Sequence, residues 1–106
     1  MIIAFETKRL REICEDNAVA VKELGSPAAE ALQQRLADLR AAETIGDLIV
    51  GSPRASGTDG ATLTITLTET AHTVWAANHV NPPRDQTGRV DWTRTRRVRL
   101  LQIASN

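Results

Sequence analysis

The sequence predicts a small α+β domain, with a mostly antiparallel β-sheet and two N-terminal helices packed on one side. Residues 62–67 alternate threonine with aliphatic residues, which is the pattern of a strand buried on one face only. Residues 28–39 instead carry apolar side chains at helical spacing. Helical patterns precede most strand patterns along the chain, and this order favours helices gathered on one side of the sheet.

The length and composition predict one domain over residues 1–106. The chain has 106 residues, of which 42% are hydrophobic, enough for one core. Aromatic residues make up only 3% (Phe5, Trp75 and Trp92, with no tyrosine), so the core is expected to be aliphatic. A wide base-stacking platform is not expected either, because such sites are built from aromatic rings.

The first half is predicted to hold one short strand and two helices. Residues 2–5 are apolar and predict the strand, and residues 10–24 carry a helical repeat that Asn17 interrupts. Gly25 suits the end of that helix. Ser26 is predicted to cap the second helix, with Pro27 in its first turn.

The second half is predicted to alternate loops and strands. Loop residues are recognised by their glycine, proline and small polar composition. The predicted order is a short helical turn at 44–49, a loop at 50–61, a strand at 62–67, a hairpin turn at 68–71, a strand at 72–77, a loop at 78–91 and a final strand at 97–104.

The charge is balanced in total but divided between the halves. Residues 1–48 hold six basic and nine acidic groups, a net −3, and residues 49–106 hold seven basic and four acidic groups, a net +3. All seven basic groups of the second half are arginines. The neutral total argues against strong non-specific binding of nucleic acid, while the division predicts one cationic face.

Four arginines, Arg94, Arg96, Arg97 and Arg99, lead into the apolar final strand. Guanidinium groups present a planar fork of donors that matches phosphate or carboxylate. The segment therefore predicts an anionic partner, with RNA as the leading candidate. The alternative is pairing with Glu69 or with the acidic first half, but exposed ion pairs contribute only up to ~1 kcal/mol each.

With these elements in order, the chain resembles the RelE/ParE toxin superfamily, and within it the HigB-like branch of type II toxin–antitoxin systems. The likeness spans nearly the whole chain. The matching segments are 1–8, 10–11, 13–15, 36–42, 51–54, 77–79, 88–92 and 96–103. The chain departs from the best-understood members in having no tyrosine, and in having both lysines, Lys8 and Lys22, outside the predicted sheet strands.

The resemblance implies a sheet backed by two helices and a ribosome-dependent endoribonuclease that cuts mRNA. It also implies a cognate antitoxin, often a helix-turn-helix protein. It places the arginine strand beside the Arg54 and His79 loops, as one wall of a small phosphate-binding cleft. Two alternatives stay open: a non-catalytic toxin directed at DNA gyrase, and an inactivated regulatory member of the fold.

Cleavage of RNA without a metal needs a base, an acid and cations that stabilise the phosphorane. The candidate catalytic residues are Arg54, His79, Asp91 and Arg96, and the candidate phosphate- or RNA-binding residues are Arg94, Arg97, Arg99 and Trp92. His79 serves as acid or base because imidazole changes charge near neutral pH. Asp91 serves as the base or orients the histidine.

Each of these residues also has a structural interpretation. His79 is alternatively a loop residue that caps a turn, Asp91 a cap of the turn before Trp92, and Trp92 a plug of the core. The single cysteine, Cys14, is interpreted as a small, partly buried side chain and not as a nucleophile. No metal, cofactor or membrane partner is expected, and the cytoplasm is the expected compartment.

Overall fold

The computed structural model describes residues 1–48 and 51–105 and confirms the predicted α+β class. The helices are α1 (Lys8–Glu15), α2 (Asn17–Leu24) and α3 (Ser26–Ala41), and the strands are β1 (Ile2–Phe5), β2 (Arg54–Ser56), β3 (Thr62–Thr68), β4 (Ala71–Ala77) and β5 (Arg97–Ser105). The strands form one sheet in the order β1-β5-β4-β3-β2. Only the β1–β5 pair is parallel.

The predicted first helix is broken in two, at the place where Asn17 interrupts the pattern. Asp16 ends α1, and its carboxylate accepts hydrogen bonds from the amides of Ala18 and Val19 at 3.0 and 3.4 Å. An aspartate in this position stabilises the start of a helix, because it satisfies amides that have no partner inside the helix. The described chain therefore has three α-helices where two were predicted.

The prediction that Ser26 caps the next helix is wrong. Helix α3 begins at Ser26 itself, and Gly25 holds the cap position without any side-chain hydrogen bond. Gly25 has a φ of 83°, a left-handed backbone that glycine adopts at little cost. Pro27 lies in the first turn of α3 as predicted. A turn this tight between α2 and α3 leaves no separate residue to serve as a serine cap.

The segment predicted as a loop at 50–61 contains an edge strand. In β2, Arg54 pairs with Thr64 of β3. A strand of three exposed residues is too short to show an alternating pattern, so composition alone indicates a loop. A 3-10 turn at Ile45–Asp47 confirms the predicted helical turn; Ile49 and the first residue of the predicted loop lie outside the described residues.

The helices pack against one face of the sheet only. On β3, Leu63, Ile65 and Leu67 are buried in the same core as the leucines of α3, while the four threonines between and beside them are half-exposed. Each fully buried leucine or isoleucine side chain contributes about 1.5–3 kcal/mol. The alternation predicted from residues 62–67 is therefore confirmed, and it leaves the other face of the sheet polar.

Two linked hydrogen bonds between buried polar groups lie inside the core. Thr73 is fully buried, and its hydroxyl donates to the carbonyl oxygen of Ile65 at 3.0 Å while accepting from Nε1 of Trp75 at 2.7 Å. Trp75 is 1% exposed, so its indole N–H has no access to solvent. The Thr73 hydroxyl therefore satisfies two buried groups at once.

We expect Thr73→Val to lower the free energy of unfolding by about 1–3 kcal/mol, because the indole N–H of Trp75 loses its acceptor inside the core. Urea unfolding measures this change. Thr66→Val, which removes a hydroxyl from the polar face, is the matched control and should change stability by less than about 0.5 kcal/mol. Equal effects of the two substitutions would contradict the role of Thr73.

Candidate nucleic-acid interface

On the face of the sheet opposite the helices, arginines lie on β2 at one edge and on β5 near the other edge. Strand register decides which side chains share this face, because directly paired residues point the same way. We call it the open face. Its described members are Ile2, Ala4, Arg54, Ser56, Thr62, Thr64, Thr66, Thr68, His72, Val74, Ala76, Arg97, Arg99, Gln102 and Ala104.

Arg54 and Arg97 are exposed, and neither side chain has a hydrogen bond or ion pair within residues 1–48 and 51–105. Arg99 is half-exposed, and its Nε lies 2.9 Å from a carboxylate oxygen of Glu6. That N–H is not aimed at the carboxylate and has no hydrogen-bond partner, so the contact is one of charge only. On the described part of this face, the guanidinium groups of Arg54 and Arg97 are therefore exposed and have no protein partner.

The arginines do not converge on one phosphate. Arg54 lies on β2 and Arg99 on β5, with β3 and β4 between them. Three inter-strand spacings separate their backbones by roughly 14 Å. The expected small cleft is thus replaced by a broad surface, because the unpredicted strand β2 carries Arg54 to the far side of the sheet.

The other two arginines of the run precede β5. Arg94 belongs to a 3-10 turn, where its Nε donates to Asp91 at 2.8 Å and its Nη2 donates to the carbonyl oxygen of Arg84 at 2.6 Å. Arg96 is exposed, and its guanidinium has no partner in the described part of the chain. Arg96 is therefore available to a ligand, whereas Arg94 is held by its own loop.

His79 connects the loop at 78–91 to the start of β5. Its Nε2 accepts hydrogen bonds from the backbone amides of both Arg96 and Arg97, each at 3.2 Å. A neutral imidazole that accepts at Nε2 carries its proton on Nδ1. His79 therefore orients the two arginine residues through their backbone, and its Nδ1–H is left as a hydrogen-bond donor.

Asp91 caps the turn that precedes β5, as one interpretation of the sequence predicted. Its carboxylate accepts from the hydroxyl and amide of Thr93 and from Arg94. These hydrogen bonds, that of the Thr93 hydroxyl above all, hold the pKa of the Asp91 carboxyl below its ordinary value. Such a carboxylate is a weak base, and it contacts Arg94 and not His79.

The proposal that Trp92 stacks on a base is not supported by its position, and the alternative of a core plug is confirmed. The side chain is 7% exposed and belongs to the main core cluster. Its indole N–H donates to the carbonyl oxygen of Gly60 at 2.8 Å. A ring buried in this way has no free face for a nucleotide, so Trp92 positions the loop instead of binding RNA.

Sequence reasoning did not place the threonines of β3 next to the arginines of the open face. Thr64 pairs with Arg54 on one side and with Val74 on the other, so it lies in the middle of the open face. The alternating pattern of residues 62–67 indicated which side chains point away from the core. It could not indicate that arginines flank them, since register between distant strands is set by tertiary structure.

The structure was also searched for a reactive cysteine, a metal site and a membrane-spanning helix. Cys14 is 3% exposed and so more deeply buried than predicted, and this burial raises the pKa of its thiol to about 11. Across 1–48 and 51–105, three or more histidine, cysteine or acidic residues are nowhere grouped so as to hold a metal ion. The helices of these same ranges are too short or too polar to span a bilayer.

A scan against models of protein families, a search of curated proteins and a search of solved structures each find no match to this chain.

We expect His79→Ala to loosen the start of β5, since two amides lose their shared acceptor. Hydrogen exchange should then accelerate at the amides of Arg96 and Arg97, by roughly tenfold if about 1.4 kcal/mol of local stability is lost. Asn81→Ala, an exposed change in the same loop, is the control. Unchanged exchange at both amides would show that His79 does not hold the strand.

Lowering the pH should destabilise the protein through Asp91. The pKa of Asp91 is lower in the folded protein than the ordinary 3.8. At pH values between the folded pKa and 3.8, the unfolded chain therefore binds more protons than the folded protein. The stability that the Asp91 carboxylate contributes is fully present above about pH 3.8 and is lost as the pH falls through its folded pKa. Urea unfolding between about pH 5 and pH 2 should show a shallower loss in Asp91→Asn than in the wild type or in Glu30→Gln. The same slope in all three proteins would contradict this role.

Proposed function

We propose that this protein is a toxin of a type II toxin–antitoxin system that binds and cleaves mRNA on the ribosome, and so inhibits translation in the cytoplasm. The observation that carries the proposal is the pair of exposed, unpartnered arginines, Arg54 and Arg97, at the two sides of one polar sheet face. Evenly distributed cations on a polar surface suit an extended phosphate backbone. The resemblance to the RelE/ParE superfamily supplies the ribosome and a helix-turn-helix antitoxin as the proposed partners.

For cleavage, the proposal assigns charge stabilisation to the free arginines. Arg96 and Arg97 are adjacent, and their backbone is held by His79. Arg97 would stabilise the negative charge that develops on the phosphorane from the open face, and Arg96 would add positive charge at the end of the sheet.

The Nδ1–H of His79 is proposed as a hydrogen-bond donor to a phosphate oxygen, since Nε2 is occupied by the two amides. The proton that the leaving 5′-oxygen takes up is assigned to water, because a neutral imidazole is not an acid. The Asp91 carboxylate is engaged by Thr93 and Arg94, so the 2′-OH proton is proposed to pass to water. The 2′-oxygen then bonds to phosphorus as the bond from phosphorus to the 5′-oxygen breaks.

A non-catalytic toxin is the second candidate, and one observation favours it. The two residues best suited to acid–base chemistry are both occupied as hydrogen-bond acceptors, His79 by the amides of Arg96 and Arg97 and Asp91 by Thr93. A protein that only binds needs the arginines and not a free base. Growth arrest would then come from a bound target such as DNA gyrase, and mRNA would stay intact. An inactivated regulatory member of the fold would cause no arrest at all.

The experiment is a map of mRNA 5′ ends on ribosomes after brief induction of the protein. We expect new 5′ ends with the wild type and a loss on the order of a hundredfold with Arg96→Ala, because a preorganised charge contributes that much to such a reaction. Arg54→Ala should reduce the ends as well. Arg40→Ala, which removes an exposed arginine from α3, is the matched control and should leave them unchanged.

Two outcomes contradict the nuclease. Growth arrest with intact mRNA and DNA damage signalling would favour the gyrase-directed candidate. Unimpaired growth and translation with the wild-type protein would favour a regulatory member of the fold.

A further inference from the structure

We propose that the outer edge of β1 binds an extended, acidic segment of another protein, which adds to the sheet as a further strand. Two features define this occupant: its backbone pairs with the free backbone groups of the edge, and its carboxylates meet the basic side chains around it. Binding at this edge does not depend on whether the protein cleaves RNA, so it goes beyond the proposed function.

The outward half of the β1 backbone is unpaired. The amides of Ile2 and Glu6 donate toward β5, at 3.2 and 2.8 Å. Because successive amides of a strand point in opposite directions, those of Ile3 and Phe5 point away from the sheet. Within residues 1–48 and 51–105, these two outward amides have no hydrogen-bond partner. All four residues of β1 are at least partly exposed, so a further strand has access to the edge.

The two edges of the sheet differ in their protection against another strand. At the opposite edge, β2 carries Arg54 and follows Pro53. A charge and a proline each discourage pairing with an additional strand. β1 has the apolar sequence IIAF, with neither a charge nor a proline, and its Ile2 side chain is 56% exposed. An apolar edge of this kind is where an extended peptide adds through main-chain hydrogen bonds.

On the open face, two arginines of β5 border this edge. Arg97 pairs with Ile2, and Arg99 pairs with the small Ala4. A strand added beside β1 would lie two inter-strand spacings from β5, roughly 9.6 Å, a distance that an arginine and a glutamate side chain can bridge together. Glu6 lies 2.9 Å from Arg99, whereas Arg97 has no ion pair in the described ranges. A carboxylate on the added strand would therefore gain Arg97 as its partner.

On the helix side, a cavity of about 330 Å³ opens beside the end of β1. It is lined by Phe5, Glu6, Thr7, Lys8 and Arg11. The guanidinium of Arg11 lies 5.5 Å from the centroid of the Phe5 ring. Lys8 and Arg11 are both exposed, and neither has an ion pair within the described part of the chain. Two free cations beside an apolar ring suit an acidic segment and repel a basic one.

The same charges disfavour a second copy of this chain as the occupant. Two β1 edges that pair around a twofold axis place identical surfaces next to each other. Lys8, Arg11 and Arg97 of both copies would then gather at one interface, and like charges across an interface oppose association. An acidic segment of a different protein is therefore the favoured occupant.

The test uses a peptide of about eight residues that alternates glutamate with valine, a composition that suits an extended strand. One control peptide has lysine in place of glutamate. A second control is the acidic peptide with its backbone amides methylated, which removes the N–H donors and keeps the charge. Calorimetric titration at about 50 mM salt measures binding, because exposed charges are only partly screened there. Hydrogen exchange of the full chain locates the bound peptide.

We expect the acidic peptide to slow hydrogen exchange at the amides of Ile3 and Phe5 by roughly tenfold or more at saturation, because these outward amides gain an acceptor. The amide of Ile2 is already bonded and should change by less than about twofold. The lysine peptide and the methylated peptide should each bind at least about tenfold more weakly than the acidic peptide.

Charge variants of the protein test the same contacts from the other side. Arg11→Gln and Arg97→Gln should each weaken binding of the acidic peptide by roughly fivefold, since each removes one cation beside the edge. Lys22→Gln, which removes an exposed cation from α2, is the matched control and should leave the affinity unchanged. Unfolding curves check that all three variants are folded.

Four results would overturn the proposal. The first is absence of binding by the acidic peptide at about millimolar concentration. Equal affinity for the acidic and lysine peptides would exclude recognition by charge. Protection that leaves the amides of Ile3 and Phe5 unchanged would place the peptide on another surface. A dimer of the chain alone that the acidic peptide dissociates, seen by sedimentation, would assign the edge to a second copy.

Discussion

Burial of a single face of the sheet is the constraint on which the rest of this structure depends. The leucines of α3 and the aliphatic side chains of β3 share one core, and Trp75 and Leu100 extend it across β4 and β5. Because side chains alternate along a strand, every buried residue on these strands leaves its neighbour on the opposite face. That face becomes polar and half-exposed as a direct consequence, and it is where the free arginines lie.

The loop before β5 uses its polar side chains for its own structure. His79 accepts two backbone amides, Asp91 caps a turn and holds Arg94, and Trp92 donates to Gly60. Each of these groups would be costly to leave unsatisfied when partly buried. The loop is thereby held against the sheet end, and the charge available to a partner is restricted to the arginines without a protein acceptor. This division leaves arginine side chains free for a ligand, while His79 and Asp91 are occupied.

Helices and strands were predicted best where apolar residues recur at a regular spacing along the chain. The alternating residues of β3 and the helical stripe of α3 both mark one-sided burial, and both predictions are confirmed. Asn17 marked the place of the break between α1 and α2, but a separate helix start was not predicted, since it depends on the Asp16 carboxylate that accepts from Ala18 and Val19. The edge strand β2 was missed, since three exposed residues have no periodicity, and the Ser26 cap failed because the turn at Gly25 is too short.

The sequence by itself determined the α+β class, the faces of the principal helix and strand, and the division of charge between the halves, because these depend on local spacing and composition. Tertiary structure alone decided which residues meet. It paired Arg54 with Thr64, set two strands between Arg54 and Arg99, and directed His79 to the amides of β5. Register and loop docking depend on contacts between residues far apart in the chain, which no local pattern encodes.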